Sequence, residues 1–338
     1  MGHSRLIILD GLRGVAALAV LIYHLRLDIF AGLERGYLMV DLFFVLSGFV
    51  LARSFEPRLR ADLSWQEFLW QRVKRLWPVI LAGVAIGLAS FLIRDHMQMS
   101  ASGWLTTTVM AIFLLPTIWV TRDPALFPLN RPHWSLFLEL LANVLHSVLL
   151  VRLGTRLLAI LLLLLAPALA FAAWRAGDMS FGGFQSGWYL GLLRVGYCYI
   201  AGIIIARMLD GAGPRASLPW YAILILPLFV LLLTEAAPIW LGDALTVIIA
   251  FPAILWLGAF SAVPSSARPA LAIIGAISYP LYATHFPIVQ LFRAFAPSES
   301  AKYLALAATI LVALAIAWLL DRKRLKQRMQ ESRTAASD

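Results

Sequence analysis

The sequence predicts an all-α polytopic membrane protein of about ten transmembrane helices, and three observations carry that expectation. Hydrophobic residues make up 61% of the 338 residues and charged residues only 14%, with a mean hydropathy of +0.83. Apolar runs long enough to cross a bilayer recur from one end to the other. Lys and Arg gather in alternate loops between those runs, as they do in the cytoplasmic loops of membrane proteins. The runs are continuously apolar, which excludes a membrane β-barrel, whose strands would alternate. The same loop bias accounts for the net charge of +10, so no nucleic-acid partner is expected. The single cysteine, Cys198, forbids an internal disulfide, and no metal site is expected.

Apolar segments fall at about 6–26, 37–53, 77–93, 104–120, 134–151, 157–174, 188–206, 219–236, 241–260, 271–292 and 302–320. The fourth is the odd one: it is short, begins beside three consecutive threonines and contains Pro116. Charge placement decides its fate. With the N-terminus cytoplasmic and 104–120 not crossing, 18 Lys/Arg lie inside and 8 outside, with Arg13 and Arg194 in the membrane. If it crosses, the split becomes 12 inside against 14 outside. The expectation is therefore ten spans, both termini in the cytoplasm, and a re-entrant or outer-surface segment near 104–120. Residues 1–320 read as one transmembrane domain and 321–338 as a basic cytoplasmic tail in contact with lipid. The N-terminus runs straight into the first span without a small-residue cleavage site, and is expected to be a retained anchor.

The first span, Leu9 to His24, carries the chemistry that orders the rest. A charged group near the middle of a bilayer helix costs roughly 2.5–3.5 kcal/mol on insertion scales, so Arg13 is a candidate functional residue. Arg13 and His24 are eleven residues apart, close to three helical turns, so they project from nearly the same face roughly 16 Å apart. Asp41, one turn into the second span, matches His24 in depth. It is expected to accept a hydrogen bond from His24, the alternative being a helix cap. Arg72 and Arg75 share a helix face just before Pro78 and suit a phosphate-bearing ligand, although on the residues alone lipid head-group anchoring is the simpler explanation. On the outer side, Trp134 and Ser135 precede Glu139, an intramembrane acid expected at the same end as His24, with Arg194 a possible counter-ion. His133 reads as interfacial and His146 as bonded to a neighbouring helix. In the ninth span, Pro280 is expected to free a backbone carbonyl, and Tyr282 and His285 lie in the outer half.

Several of these pieces together resemble the acyltransferase-3 family of membrane acyltransferases, which includes O-antigen and exopolysaccharide O-acetylases. They are Leu9-Asp-Gly-Leu-Arg13-Gly with His24 after ten intervening residues, Asp41-Leu-Phe-Phe-Val-Leu-Ser-Gly-Phe49, Arg72-x-x-Arg75, Trp134-Ser-Leu with Glu139, and Ser278-Tyr-Pro-Leu-Tyr with His285. They occur in the family's order from the first span to the ninth. Leu140 stands where a second acid often follows the glutamate, which puts any role needing two acids there in doubt. The resemblance implies acyl transfer from cytosolic acyl-CoA, acetyl-CoA above all, to a hydroxyl of an extracytoplasmic saccharide, at a bacterial inner membrane. Arg72, Arg75 and Arg13 would hold the donor. His24 would act as general base or as acyl-accepting nucleophile, oriented by Asp41. Trp134, Ser135, Glu139, Tyr282 and His285 would support the acceptor side. The competing reading is a transporter or flippase for a lipid-linked glycan, against which stands the lack of visibly paired repeat halves.

Overall fold

The computed structural model describes residues 3–27, 33–94, 101–118, 123–210, 218–234, 237–295 and 298–334. The helices are α1 (His3–Leu25), α2 (Met39–Ala61), α3 (Trp65–Arg94), α4 (Ala101–Ile112), α5 (His133–Val148), α6 (Thr155–Ala176), α7 (Leu190–Met208), α8 (Trp220–Thr234), α9 (Ile239–Leu245), α10 (Phe251–Gly258), α11 (Arg268–Phe295) and α12 (Glu299–Thr334). A π-turn at Thr246–Ala250 joins α9 to α10 as one span. Its cause is local: Pro252 has no N–H for the Ile248 carbonyl, and Tyr197 Oη donates to that oxygen at 2.8 Å instead.

Among the described residues eight helical stretches are long and apolar enough to cross a membrane, so the chain is a multi-pass α-helical membrane protein. The ten spans expected from the sequence would need two shorter helices as well, α5 of 16 residues and α8 of 15. Loop contacts gather connections at two ends. At one end, Arg60 donates to Val151 O and Arg207 to Leu153 O. At the other, Arg35 donates to Ala237 O and Lys302 to Arg26 O.

The bundle has a protein-packed centre and a lipid-ready rim. In α2 and α7, 72% of the spanning window is buried within the protein, against 22% in α6 and 17% in α12. The exposed side chains of the rim are Leu163, Leu164, Phe171, Leu304 and Leu311, which lipid tails solvate as well as protein would. At the centre, α1 runs along α11 and α2 along α7, with α3 against the far side of α11. α1 stops where Arg26 enters the left-handed region at φ 53° and its N–H returns to Ile22 O. Arg293 and Lys302 cap this end by donating to the His24 and Arg26 carbonyls.

The shortness of α5 has a physical origin in the segment before it. Residues 123–132 run alongside α3, where Gly87 leaves room for their backbone and Gly83 for the backbone of α11 and the side chains of Asn130 and His133. A Cβ on Gly87 would stand 2.5 Å from Leu129 O, and one on Gly83 would stand 2.3 Å from Ala283 O and 3.0 Å from Asn130 and His133. α5 therefore starts inside the bundle rather than at its surface. The segment near 104–120 was expected to re-enter or to lie at the outer surface; its described part holds α4, a twelve-residue helix too short to cross, whose Trp104 lies edge-on to Phe91 near the end of α3, while 123–132 is the stretch that packs in among the helices. Gly87→Val should lower the midpoint of thermal unfolding in detergent, corresponding to about 1–3 kcal/mol of overpacking. An unchanged midpoint would mean that the descent can yield without cost.

Candidate active site

A cavity of about 440 Å³ opens between α1, α2, α3, α5, α11 and α12. Arg13, Arg72 and Arg75 line it together with the carboxylates of Glu139 and Asp321. Glu139 is already committed: it accepts from Ser47 Oγ at 2.7 Å and lies 3.4 Å from Arg72 Nη2. Three guanidiniums face two carboxylates, so the walls carry an excess of positive charge suited to an anion. The inner part is apolar, formed by Val40, Phe43, Phe44, Val79 and Leu136. The expectation that gathered Arg13 with Arg72 and Arg75 therefore describes one real chamber. Glu139, expected at the end of His24 and with Arg194 as counter-ion, sits in this chamber with Arg72.

Tyr282 and Ser135 form the far wall. Their hydroxyls are 2.6 Å apart, and Tyr282 Oη also donates to Pro132 O at 3.3 Å. One turn further along α11 stands His285, fully buried, its ring centroid 5.8 Å from that of Tyr282. His285 Nε2 lies 3.1 Å from His24 Nδ1. His24 does not line the cavity; the layer of Tyr282 and His285 separates the two. Around it pack Tyr23 at 4.9 Å and Phe286 at 5.3 Å between ring centroids.

Asp41 is not the partner of His24. Arg194 holds both of its oxygens, Nε to Oδ1 at 3.0 Å and Nη2 to Oδ2 at 2.5 Å, and both side chains are buried. Arg194 also donates to Phe181 O at 2.8 Å and lies 5.2 Å from the Trp134 ring. Matching depth on two helices does not fix the direction in which a side chain points, and Asp41 faces α7. Trp134 accordingly belongs to this ion pair, under Gly182 and Gly183, and does not line the cavity.

Other polar residues resolve into structural ties. His133, expected at the interface, is fully buried between Asn130 Nδ2 at 2.9 Å and the Ala283 carbonyl at 3.3 Å. That carbonyl is free because Pro287, four residues on, has no N–H, and Asn130 Nδ2 donates to it at 2.7 Å. A second proline, Pro287, thus releases a carbonyl in α11 besides the one that Pro280, by lacking an N–H, leaves at Ala276. His146 does bond to a neighbouring helix, through Tyr199 Oη at 3.0 Å, and its Nε2 lies 3.3 Å from Glu56 Oε1. Glu56 with Arg207, and Asp243 with Arg35 and Tyr37, are ties that no sequence pattern announced. Ser47 and Asp321 were also missed. Ser47 stands within the quoted Asp41–Phe49 stretch, where its small hydroxyl gave no sign of a partner on another helix. Among the described residues no group of three His, Cys, Asp or Glu is placed to hold a metal ion.

A family model described as an acyltransferase domain matches residues 6–322. The chain belongs to the acyltransferase-3 family. A Rhizobium radiobacter protein named Protein 2 in picA locus is 36% identical over 159 residues, covering 43% of this chain and 82% of that protein. A Staphylococcus aureus (strain COL) protein, provisionally named an O-acetyltransferase, is 32% identical over 155 residues, 43% of this chain and 24% of that protein. A Bacillus subtilis (strain 168) protein, provisionally named a peptidoglycan O-acetyltransferase, is 40% identical over 72 residues, 21% of this chain and 11% of that protein. This member of the acyltransferase-3 family thus aligns with less than a quarter of the length of those two relatives. No solved structure matches it significantly.

Proposed function

We propose that the chain transfers an acyl group, acetyl in the simplest case, from acyl-CoA to a hydroxyl of a saccharide or glycoconjugate on the other side of the membrane. The observation that carries this reading is the convergence of Arg13, Arg72 and Arg75 on one cavity whose far wall adjoins His24. The loop charges, 18 against 8, support a reading in which the cavity mouth faces the cytoplasm and His24 faces the extracytoplasmic side, at a bacterial inner membrane. In this arrangement Arg72 and Arg75 receive the phosphates of CoA, Arg13 receives the deeper part of the donor, and the acyl thioester rests in the apolar inner part, passing the Tyr282 layer to reach His24 only during turnover.

His24 acts as the general base. It takes the proton of the acceptor hydroxyl as the oxygen attacks the thioester carbonyl. The new C–O bond forms, the C–S bond breaks, and the proton returns to the departing CoA sulfur. The acceptor comes from the extracytoplasmic side, and the names of the O-acetyltransferase relatives support a cell-envelope glycan.

The test is binding of labelled acetyl-CoA to the purified protein. Charge-assisted hydrogen bonds are worth about 1.5–3 kcal/mol each, so Arg72→Ala/Arg75→Ala should weaken binding by about a hundredfold or more. Wild-type protein that neither binds nor turns over acetyl-CoA would end the acyl-CoA reading and favour transport of a glycan.

A further inference from the structure

We infer that His285 is the positioning residue of His24, accepting a hydrogen bond from His24 Nδ1–H and so leaving the Nε2 lone pair as the reacting atom. The inference deepens the acyl-transfer reading and rests on it for the role of His24; the tautomer itself does not depend on that reading.

The argument starts from two backbone carbonyls. Val20 O lies 3.0 Å from His24 Nδ1, and Tyr282 O lies 2.7 Å from His285 Nδ1. A carbonyl oxygen only accepts, so each Nδ1 must carry the hydrogen. A neutral imidazole protonated on Nδ1 keeps its lone pair on Nε2. The His285 Nε2 lone pair faces His24 Nδ1 at 3.1 Å, a hydrogen-bond distance, and the His24 hydrogen is shared between Val20 O and that nitrogen. The chain of bonds therefore runs in one direction, from His24 Nδ1–H to His285 Nε2 and from His285 Nδ1–H to Tyr282 O. His24 Nε2 is left without a hydrogen-bond partner among the described residues.

No carboxylate competes for this role. Asp41 is held by Arg194, and Glu139 is in the cavity with Arg72. The charged groups nearest to His24 are cations. Arg293 donates to its backbone carbonyl, and Arg131 stands over the far side of Phe286, 5.9 Å from that ring. His24 is thus oriented by a neutral acceptor. When Nε2 takes up the hydroxyl proton, the Nδ1–H bond to His285 becomes charge-assisted and strengthens. His285 is well suited to hold still: it is fully buried and lies two residues before Pro287, in the part of α11 whose freed carbonyl Asn130 secures.

Two measurements test this. The chain has six histidines, and ¹⁵N spectra of histidine-labelled protein in detergent report which ring nitrogen carries the hydrogen, with His24→Ala identifying the His24 signals. The expected spectrum has His24 and His285 both protonated on Nδ1. A His24 signal protonated on Nε2 overturns the inference, whether or not the protein turns over acetyl-CoA. In acetyl-CoA turnover, His285→Ala should lower kcat about tenfold, the effect of losing one orienting hydrogen bond, with KM for acetyl-CoA unchanged. His285→Gln, which restores a neutral acceptor, should recover part of the loss. Equal kcat in wild type and His285→Ala, or a loss confined to KM, overturns the positioning role. If wild-type turnover is absent altogether, the acyl-transfer reading fails and the ¹⁵N spectrum alone judges the tautomer.

Discussion

Asp41→Ala should destabilise the protein by about 3–5 kcal/mol, the cost of leaving one member of a buried ion pair without its partner. Arg194 is 1% exposed and sends three of its hydrogen bonds to Asp41 and Phe181 O, so removal of the carboxylate strands a guanidinium among Trp134, Phe181 and α2. Thermal unfolding in detergent is the measurement. Asp41→Leu/Arg194→Leu is the informative companion, because a buried pair replaced together by apolar side chains is often nearly neutral. Recovery in the double variant identifies a structural tie between α2 and α7. A fully stable Asp41→Ala protein that has lost turnover would instead reinstate Asp41 as a group acting on His24.

The second large effect belongs to His24. His24→Ala should reduce acetyl-CoA turnover by about a hundred- to ten-thousand-fold, the usual contribution of a general base. Its binding of acetyl-CoA should match wild type, because His24 lies outside the cavity that Arg13, Arg72 and Arg75 line. Its fold should also survive, since among the described residues the side chain meets Val20 O, His285 and the rings of Tyr23 and Phe286. Lost binding in His24→Ala would show that the donor reaches past the Tyr282 layer in its resting complex. Unchanged turnover would remove His24 from the chemistry.

The helices, their order and the gathering of Arg13, Arg72 and Arg75 were legible because each rests on a local signal. Apolar length marks a span, and an arginine inside one marks a polar interior. What the sequence withheld was azimuth. Asp41 and His24 share a depth, yet Asp41 points to α7 and His24 to α11, because the packing of α2 on α7 and of α1 on α11 sets those directions. Glu139 was misplaced for a related reason. Its helix was taken to start at the membrane surface, whereas residues 123–132 first descend beside Gly87 and Gly83, which carries the acid inward to Arg72. Those glycines were visible as residues, but a glycine in a helix does not announce which backbone will lie against it. His285 was on the page as a candidate; its alignment with His24 needed the two carbonyls of Val20 and Tyr282 in three dimensions.

The wall between the cavity and His24 is one side chain thick, formed by Tyr282, Ser135 and His285, with Phe43 5.4 Å from the Tyr282 ring. A polar chamber open on one side and a partly exposed histidine on the other would, without that wall, be a continuous water path across the bilayer. Every hydroxyl and ring nitrogen in the layer facing the chamber is already engaged within the protein, so a file of water molecules finds few groups there to solvate it. The layer is an electrical insulator as well as a wall. On the proposed reading, such a wall would let a chamber fill from one compartment while the reacting group faces the other, without opening a path for protons between them.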